Sequence, residues 1–417
     1  LLERGELDFL VLECLAERTI ADAQLRRLAD PDAGFDPLLR KRMRQLLPVL
    51  ARGQTRLISN MGAANPEGAA RVAAGIAREL GIAVRVAALT GDDVLTLIDP
   101  DAPAIEDGLP LEAHGEIVSA NAYLGAEHLL GALRTDAQVV LTGRVADPSL
   151  FLAPLVLAHQ WDGGDFDLMA RGTVIGHLLE CGPQVSGGYF ADPPLREVPG
   201  LADVGYPLAE VAADGSAVVT KLNDTGGMVT RDTVIEQLMY EITDPHAYVT
   251  PDVIADFSNV DVADQGDDRV RVDGARGSSR PEQLKVSVGY RAGCTVEGEI
   301  SYAGRGAVER GRLACELVRD RLPGGIELRL EVAKTEVLDL GTDRWSAPGC
   351  RVRIAARVTD RVAAERVAEE VLALYTSGPA GGGGVRTRIE ETIGIVSTLV
   401  ARDAVTPQVS VTPGVPV

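Results

Sequence analysis

Aromatic residues are scarce in this 417-residue chain: six Phe, eight Tyr and two Trp make up 4% of it. Hydrophobic residues still reach 46%, so the cores must be packed from Ala, Val, Leu and Ile. Basic charge is also short, with 41 Lys and Arg against 61 Asp and Glu and a formal net charge of -20. That argues against nucleic acid or an anionic membrane as partner, since both select basic surfaces. Cys14, Cys181, Cys294, Cys315 and Cys350 form no CxxC pair, and the five histidines form no HxH or HExxH, so no metal site is expected. Scattered thiols suit a reducing compartment, and a cytoplasmic location is expected. Long apolar runs are missing too: 150–158 is far below the ~20 residues that cross a bilayer. No secretory signal is legible at the start, although a chain beginning Leu-Leu implies that an N-terminal segment precedes the numbered residues.

What is present is a repeated strand–turn–helix pattern. A short apolar run, 9–12, precedes helical patterns over 20–28 and 38–50. A strand at 56–60 then runs through a glycine turn into an Ala-rich helix, 67–80, and a strand, 82–88. The stretch 117–133 reads as helix, 138–142 as a buried strand, and 150–159 and 168–181 as helices. This order predicts a doubly wound, mostly parallel, Rossmann-like α/β sheet over 1–283. The polar, Gly-rich segment 261–280 reads as a linker or long loop. Beyond it, strands at 284–290, 295–302, 326–338, 350–358 and 394–401, with helices at 307–322 and 361–374, predict a smaller α+β sandwich domain over 284–417.

The candidate site residues sit where strands hand over to helices. In Ser59-Asn60-Met61-Gly62-Ala63-Ala64-Asn65-Pro66 a glycine turn delivers the chain to a helix start, where free N–H groups and the helix dipole attract anions. Asn60, Gly62, Ala63 and Asn65 are therefore candidate ligand contacts; the plainer reading is an ordinary βα turn. In Thr142-Gly143-Arg144-Val145-Ala146-Asp147, Arg144 offers a planar fork for a carboxylate or phosphate. Asp147 reads either as a proton-transfer group or as a helix N-cap. Asn121 and Tyr123 come just before that strand. In Glu180-Cys181-Gly182, Glu180 is a candidate general base and Cys181 a candidate nucleophile, with His177 one helical turn earlier. Tyr189 closes the same glycine-rich stretch as a further proton donor. Lys221 and Asp224 flank a strand end, and Gly381 and Gly382 lie in a Gly-rich run, 377–386, read as a loop able to fold over phosphate.

Taken in order, ECLAERTIA, ISNMGAANP, GRVADPSLFLAPL, ECGPQVSGGYFADP, KLNDTGG and GPAGGGG resemble the acyclic terpene utilisation (AtuA-like) family through nearly the whole chain. Members of that family typically begin with a strand and a Gly-rich loop ahead of the position of Leu1. The family's name comes from bacterial breakdown of citronellol and geraniol, where neighbouring enzymes act on branched acyl-CoA. The resemblance therefore implies an acyl-CoA-type substrate, but it supplies no agreed catalytic residues. The expectation is a lyase or hydratase acting on an acyl thioester or related small carboxylate, with no cofactor of its own beyond a CoA carried by the substrate. The alternatives are an acyl-transfer or hydrolytic enzyme using Cys181, and a non-catalytic ligand-binding or scaffold subunit. A homo-oligomer with a small-molecule ligand is expected.

Overall fold

The computed structural model describes residues 1–335 and 349–413, and shows a mixed α/β fold with several sheets and nine helices among those residues. The chain opens with β1 (Phe9–Leu12), α1 (Glu17–Ala29), α2 (Leu39–Leu50), β2 (Arg56–Ser59), α3 (Pro66–Glu79) and β3 (Arg85–Thr90). It continues through β4 (Ile117–Ala122), α4 (Ala126–Leu133), β5 (Val139–Thr142), α5 (Asp147–His159) and α6 (Phe166–Glu180). Then come β6 (Pro207–Val211), β7 (Ala217–Lys221), α7 (Arg231–Leu238), β8 (Tyr248–Val249), β9 (Ile254–Asp256), β10 (Asp261–Asp264), β11 (Arg269–Asp273) and β12 (Arg276–Gly277). The last elements are β13 (Gln283–Ala303), α8 (Ala307–Arg321), β14 (Leu328–Thr335), β15 (Gly349–Val358), α9 (Arg361–Ser377), β16 (Gly382–Ala401) and β17 (Gln408–Pro413).

Two compact units result, one of 1–112, 117–289 and 395–417, the other of 113–116 and 290–394. The first holds a five-stranded sheet in the order β1-β2-β5-β3-β17, parallel except for β17, which pairs antiparallel with β3. Its inner strands β2, β5 and β3 are short and largely buried on both faces, as parallel strands under helices must be. Leu57, Ile58, Val139, Val140 and Leu141 are all fully buried. Helix α3 presents Ala69, Ala70, Ala73, Ala74 and Ala77 to this core, so small side chains fill the place that aromatics take elsewhere. The second unit packs α8 and α9 on its antiparallel sheet, with Val296, Ile300, Val318, Val352, Ile354, Val367 and Val371 between.

Three expectations change. The stretch 117–133 is a strand followed by a short helix: Ile117–Ala122 pairs with β13, and this nearly wholly buried strand runs straight into the apolar run that follows. The segment 261–280 is no linker, because β10 and β11 join β7 and β6 in a four-stranded antiparallel sheet, with Val262, Val270 and Val272 pointing inward. The Gly-rich run at 377–386 is not a loop throughout, since β16 starts at Gly382. The sequence reading also put one boundary near 283. The units instead divide within β13 and again within β16, and 395–413 returns to the first unit through β17. Residues 336–338 of the expected strand 326–338 lie outside the described residues.

Gly62 is a point of close backbone approach on the parallel sheet's rim. A Cβ there would stand 2.5 Å from the Thr142 carbonyl oxygen and 2.8 Å from Pro66 Cα. Backbone on both sides leaves no flexible group to yield. Gly62→Ala is therefore expected to cost about 3 kcal/mol of stability, the upper end for overpacking. A urea midpoint unchanged from wild type would contradict this contact.

Candidate functional site

The parallel strands of the first unit end along one rim, and each end delivers a polar residue, the position where open α/β sheets bind ligands. β1 ends at Glu13 and Cys14, β2 at Asn60, β3 at Gly91 and Asp92, and β5 at Gly143 and Arg144. Two of these ends repeat one local sequence, Leu89-Thr90-Gly91-Asp92 and Leu141-Thr142-Gly143-Arg144. The first of the pair was not among the expected site residues, although that repetition marks it.

Arg144 is the fixed cation of the site. Its side chain is fully buried, Nε and Nη2 donate to the Val145 carbonyl, Nη1 donates to the Leu15 carbonyl at 2.9 Å, and Nη2 also pairs with Asp147. The guanidinium carbon lies 4.6 Å from the centre of the Tyr123 ring. Tyr123 in turn donates its hydroxyl to Glu17 at 2.5 Å. With most donors and one face occupied, Arg144 is placed to set the local potential, and the expected direct clamp on a substrate anion does not fit this geometry. Burial disfavours its charge, but Asp147, Tyr123, Glu13 and Glu17 more than offset that, and its proton is held above the ordinary guanidinium range.

Asp147 is the first residue of α5 rather than its cap, which is Ala146. Its carboxyl is pushed upward by desolvation and by Glu13, Glu180 and Glu17, against the pull of Arg144. About a third of the side chain (34%) is reached by solvent. The close approach of α5 and α6 depends on Gly176, where a Cβ would lie 2.5 Å from the Pro148 carbonyl oxygen. One helical turn on, Glu180 Oε1 meets His177 Nδ1 at 3.0 Å, and both side chains are buried. Desolvation raises the Glu180 carboxyl, opposed by its hydrogen bond with His177 and helped by Glu13 and Glu241. Helix, turn and burial thus raise the proton affinity of two carboxyls, Asp147 beside the buried Arg144 and Glu180 beside the buried His177.

A cleft of about 440 Å³ adjoins the rim, lined among others by Arg27, Asn65, Thr90, Asp92, Asn121 and Gln408. Asp92 forms its inner wall: Oδ2 accepts from the Asn121 amide at 2.9 Å and from the Arg144 backbone N–H at 2.9 Å. Desolvation, eased by those two hydrogen bonds, pushes the Asp92 carboxyl from 3.8 to about 6. The folded protein therefore keeps a proton that the unfolded chain releases, so this contribution is present below 3.8 and lost as pH rises through about 6. The loss amounts to about 3 kcal/mol. Asp92→Asn should flatten the stability–pH curve over that window, and denaturation midpoints that keep the wild-type slope would contradict it.

The Asn60–Asn65 turn borders the same cleft, but its donors are engaged internally. The N–H groups of Ala63, Ala64 and Asn65 donate to the carbonyls of Asn60, Gly34 and Gly62. Asn65 caps α3 through Gly68 N at 2.9 Å and donates to the Pro31 and Ala33 carbonyls. Asn60 accepts from Cys14 N at 2.7 Å and donates to Glu13 at 3.0 Å. Ala63 holds the left-handed φ of 46°, and the turn serves packing and rim geometry rather than an open anion cradle at these donors. Lys221 is buried and tied to Asp268 at 2.8 Å and the Thr225 carbonyl at 3.0 Å, while Asp224 is exposed in the following turn. Tyr189 is exposed, edge-on to Tyr240 with ring centres 6.0 Å apart. Gly381 and Gly382 belong to the second unit, where they pass Arg310 and Ile300. Cys181, just past α6, has its thiol pushed up to about 11 by desolvation and by Glu180 and Glu241, with Gln237 opposing. The sequence reading missed Glu17, Asp92, Gln237 and Lys285, the last of which lies 5.0 Å from the Tyr123 ring centre.

Residues 1–411 match the family described as acyclic terpene utilisation family protein AtuA, and the chain belongs to that family. No curated protein and no solved structure matches it.

Proposed function

We propose that this member of the acyclic terpene utilisation family is an acid–base enzyme of lyase or hydratase type, acting on an acyl thioester or a related small carboxylate. One arrangement carries the reading: Asp147 paired with buried Arg144, and Glu180 paired with buried His177, both carboxyls being raised above their ordinary range by desolvation. Raised proton affinity suits a carboxyl to general acid–base work. In a dehydration, one group takes the proton at the α-carbon while the other protonates the departing hydroxyl, and hydration runs the same steps backward. Arg144 stabilises the negative charge that develops, through its field rather than by contact. The 440 Å³ cleft is lined by Asp92 and Asn121 rather than by Asp147 or Glu180, and is of a size to receive a small ligand beside the rim. The thioester itself rests on family kinship alone, and any CoA would arrive with the substrate. We read the parallel sheet that carries the rim as Rossmann-like in the same spirit. A covalent route through Cys181 is disfavoured by the raised thiol, since thiolate is the nucleophile. The test is a panel of enoyl and hydroxyacyl thioesters and free hydroxy acids, followed by mass. Gain or loss of one water in one of them is expected, whereas transfer or hydrolysis of the acyl group would replace this reading by the covalent one.

A further inference from the structure

We propose that His177 is the catalytic residue that carries the proton at this site, through Nε2, and that Glu180 is a positioning residue acting through it. The inference rests on the acid–base reading above and deepens it. A histidine on the buried face of a helix is most simply a satisfied core residue, with both ring nitrogens bonded. His177 is not. Its Nδ1 lies 3.0 Å from Glu180 Oε1, but its Nε2 is buried without a hydrogen-bond partner. Glu180 Oε2 and Gln237 Oε1 are buried and unpartnered as well. Gln237 is joined to His177 directly, its amide donating to the His177 carbonyl at 3.0 Å. Two hydrogen bonds, one to the His177 ring and one to its backbone carbonyl, thus join three residues that carry three unpartnered polar atoms, a costly state if left so. A carboxylate at Nδ1 selects the tautomer with its proton on Nδ1, which leaves Nε2 a bare base. The set then offers acceptors and lacks a donor, and a water or a substrate hydroxyl supplies one. Tyr248 and Phe257 tilt against the ring at 5.5 and 5.7 Å and hold its plane. In hydration, Nε2 takes a proton from water as the water oxygen bonds to the β-carbon. The α-carbon takes a proton from Asp147, and the imidazolium returns its proton to the carboxylate so formed, directly or through solvent. No oxidant or further reactant is needed.

The test is ¹⁵N NMR of the full chain labelled at histidine, which has only five such residues, with His177→Asn identifying the resonance. Neutral His177 is expected to show an unprotonated Nε2. In Glu180→Gln the amide can turn its NH₂ toward Nδ1, and the proton should move to Nε2. A wild-type ring protonated at Nε2, or a tautomer unmoved by Glu180→Gln, overturns the assignment. On any thioester the wild type converts, His177→Asn should lower kcat about 100-fold with KM little changed, and free imidazole should restore part of it. Full turnover in His177→Asn also overturns the assignment. If no compound in the panel is converted, the acid–base reading falls, while the tautomer still decides the role of His177.

Discussion

Arg144→Met is expected to destabilise the protein by about 4 kcal/mol in chemical denaturation, the range for removing one partner of a buried ion pair. The substitution keeps an apolar stem of similar length but leaves Asp147 without its cation, with Glu13 and Glu17 close by. It also strips the Leu15 and Val145 carbonyls of donors. Arg144→Lys should fall between, at about 2 kcal/mol, because one ammonium retains the charge but cannot reproduce four hydrogen bonds and a stacked plane. Equal stability of Arg144→Met and wild type would mean that the cation does not organise this rim.

The second large effect is on turnover. Glu180→Gln removes a titrating carboxyl while conserving shape, and should reduce conversion of a substrate thioester by 10² to about 10⁴-fold with little change in stability. Cys181→Ser should reduce it less than about tenfold, because burial and Glu180 already hold that thiol in its neutral form. The reverse ranking would favour an acyl-enzyme mechanism.

The residues named by both predictions were legible in the sequence because each stands where a strand or helix starts or stops. Period and glycine mark such ends well, and Arg144, Asp147 and Glu180 were found that way. Their meeting was not legible. It depends on α5 touching α6 at Gly176, and a glycine within a helical pattern says nothing about which backbone it lets approach. The two asparagines of the 60–65 turn were read as ligand donors for a similar reason: the Glu13, Pro31 and Ala33 partners that engage them come from segments far away in sequence. The strand Ile117–Ala122 ran into an apolar helix without a break, so two elements read as one. The strands over 261–277 are short with one polar face, and polar composition outweighed their valine alternation. Asp92 announced itself through the Leu-Thr-Gly repeat, but such a repeat acquires meaning only once both strands are known to end on one rim.

The central claim is that the rim of the parallel sheet moves protons on an acyl substrate. Incubation with acyl thioesters in D₂O tests it most directly, by following deuterium at the α-carbon by mass. The account predicts enzyme-dependent incorporation into at least one thioester, lost in Asp147→Asn and Glu180→Gln while both variants stay folded. Incorporation that persists undiminished in both variants would contradict it.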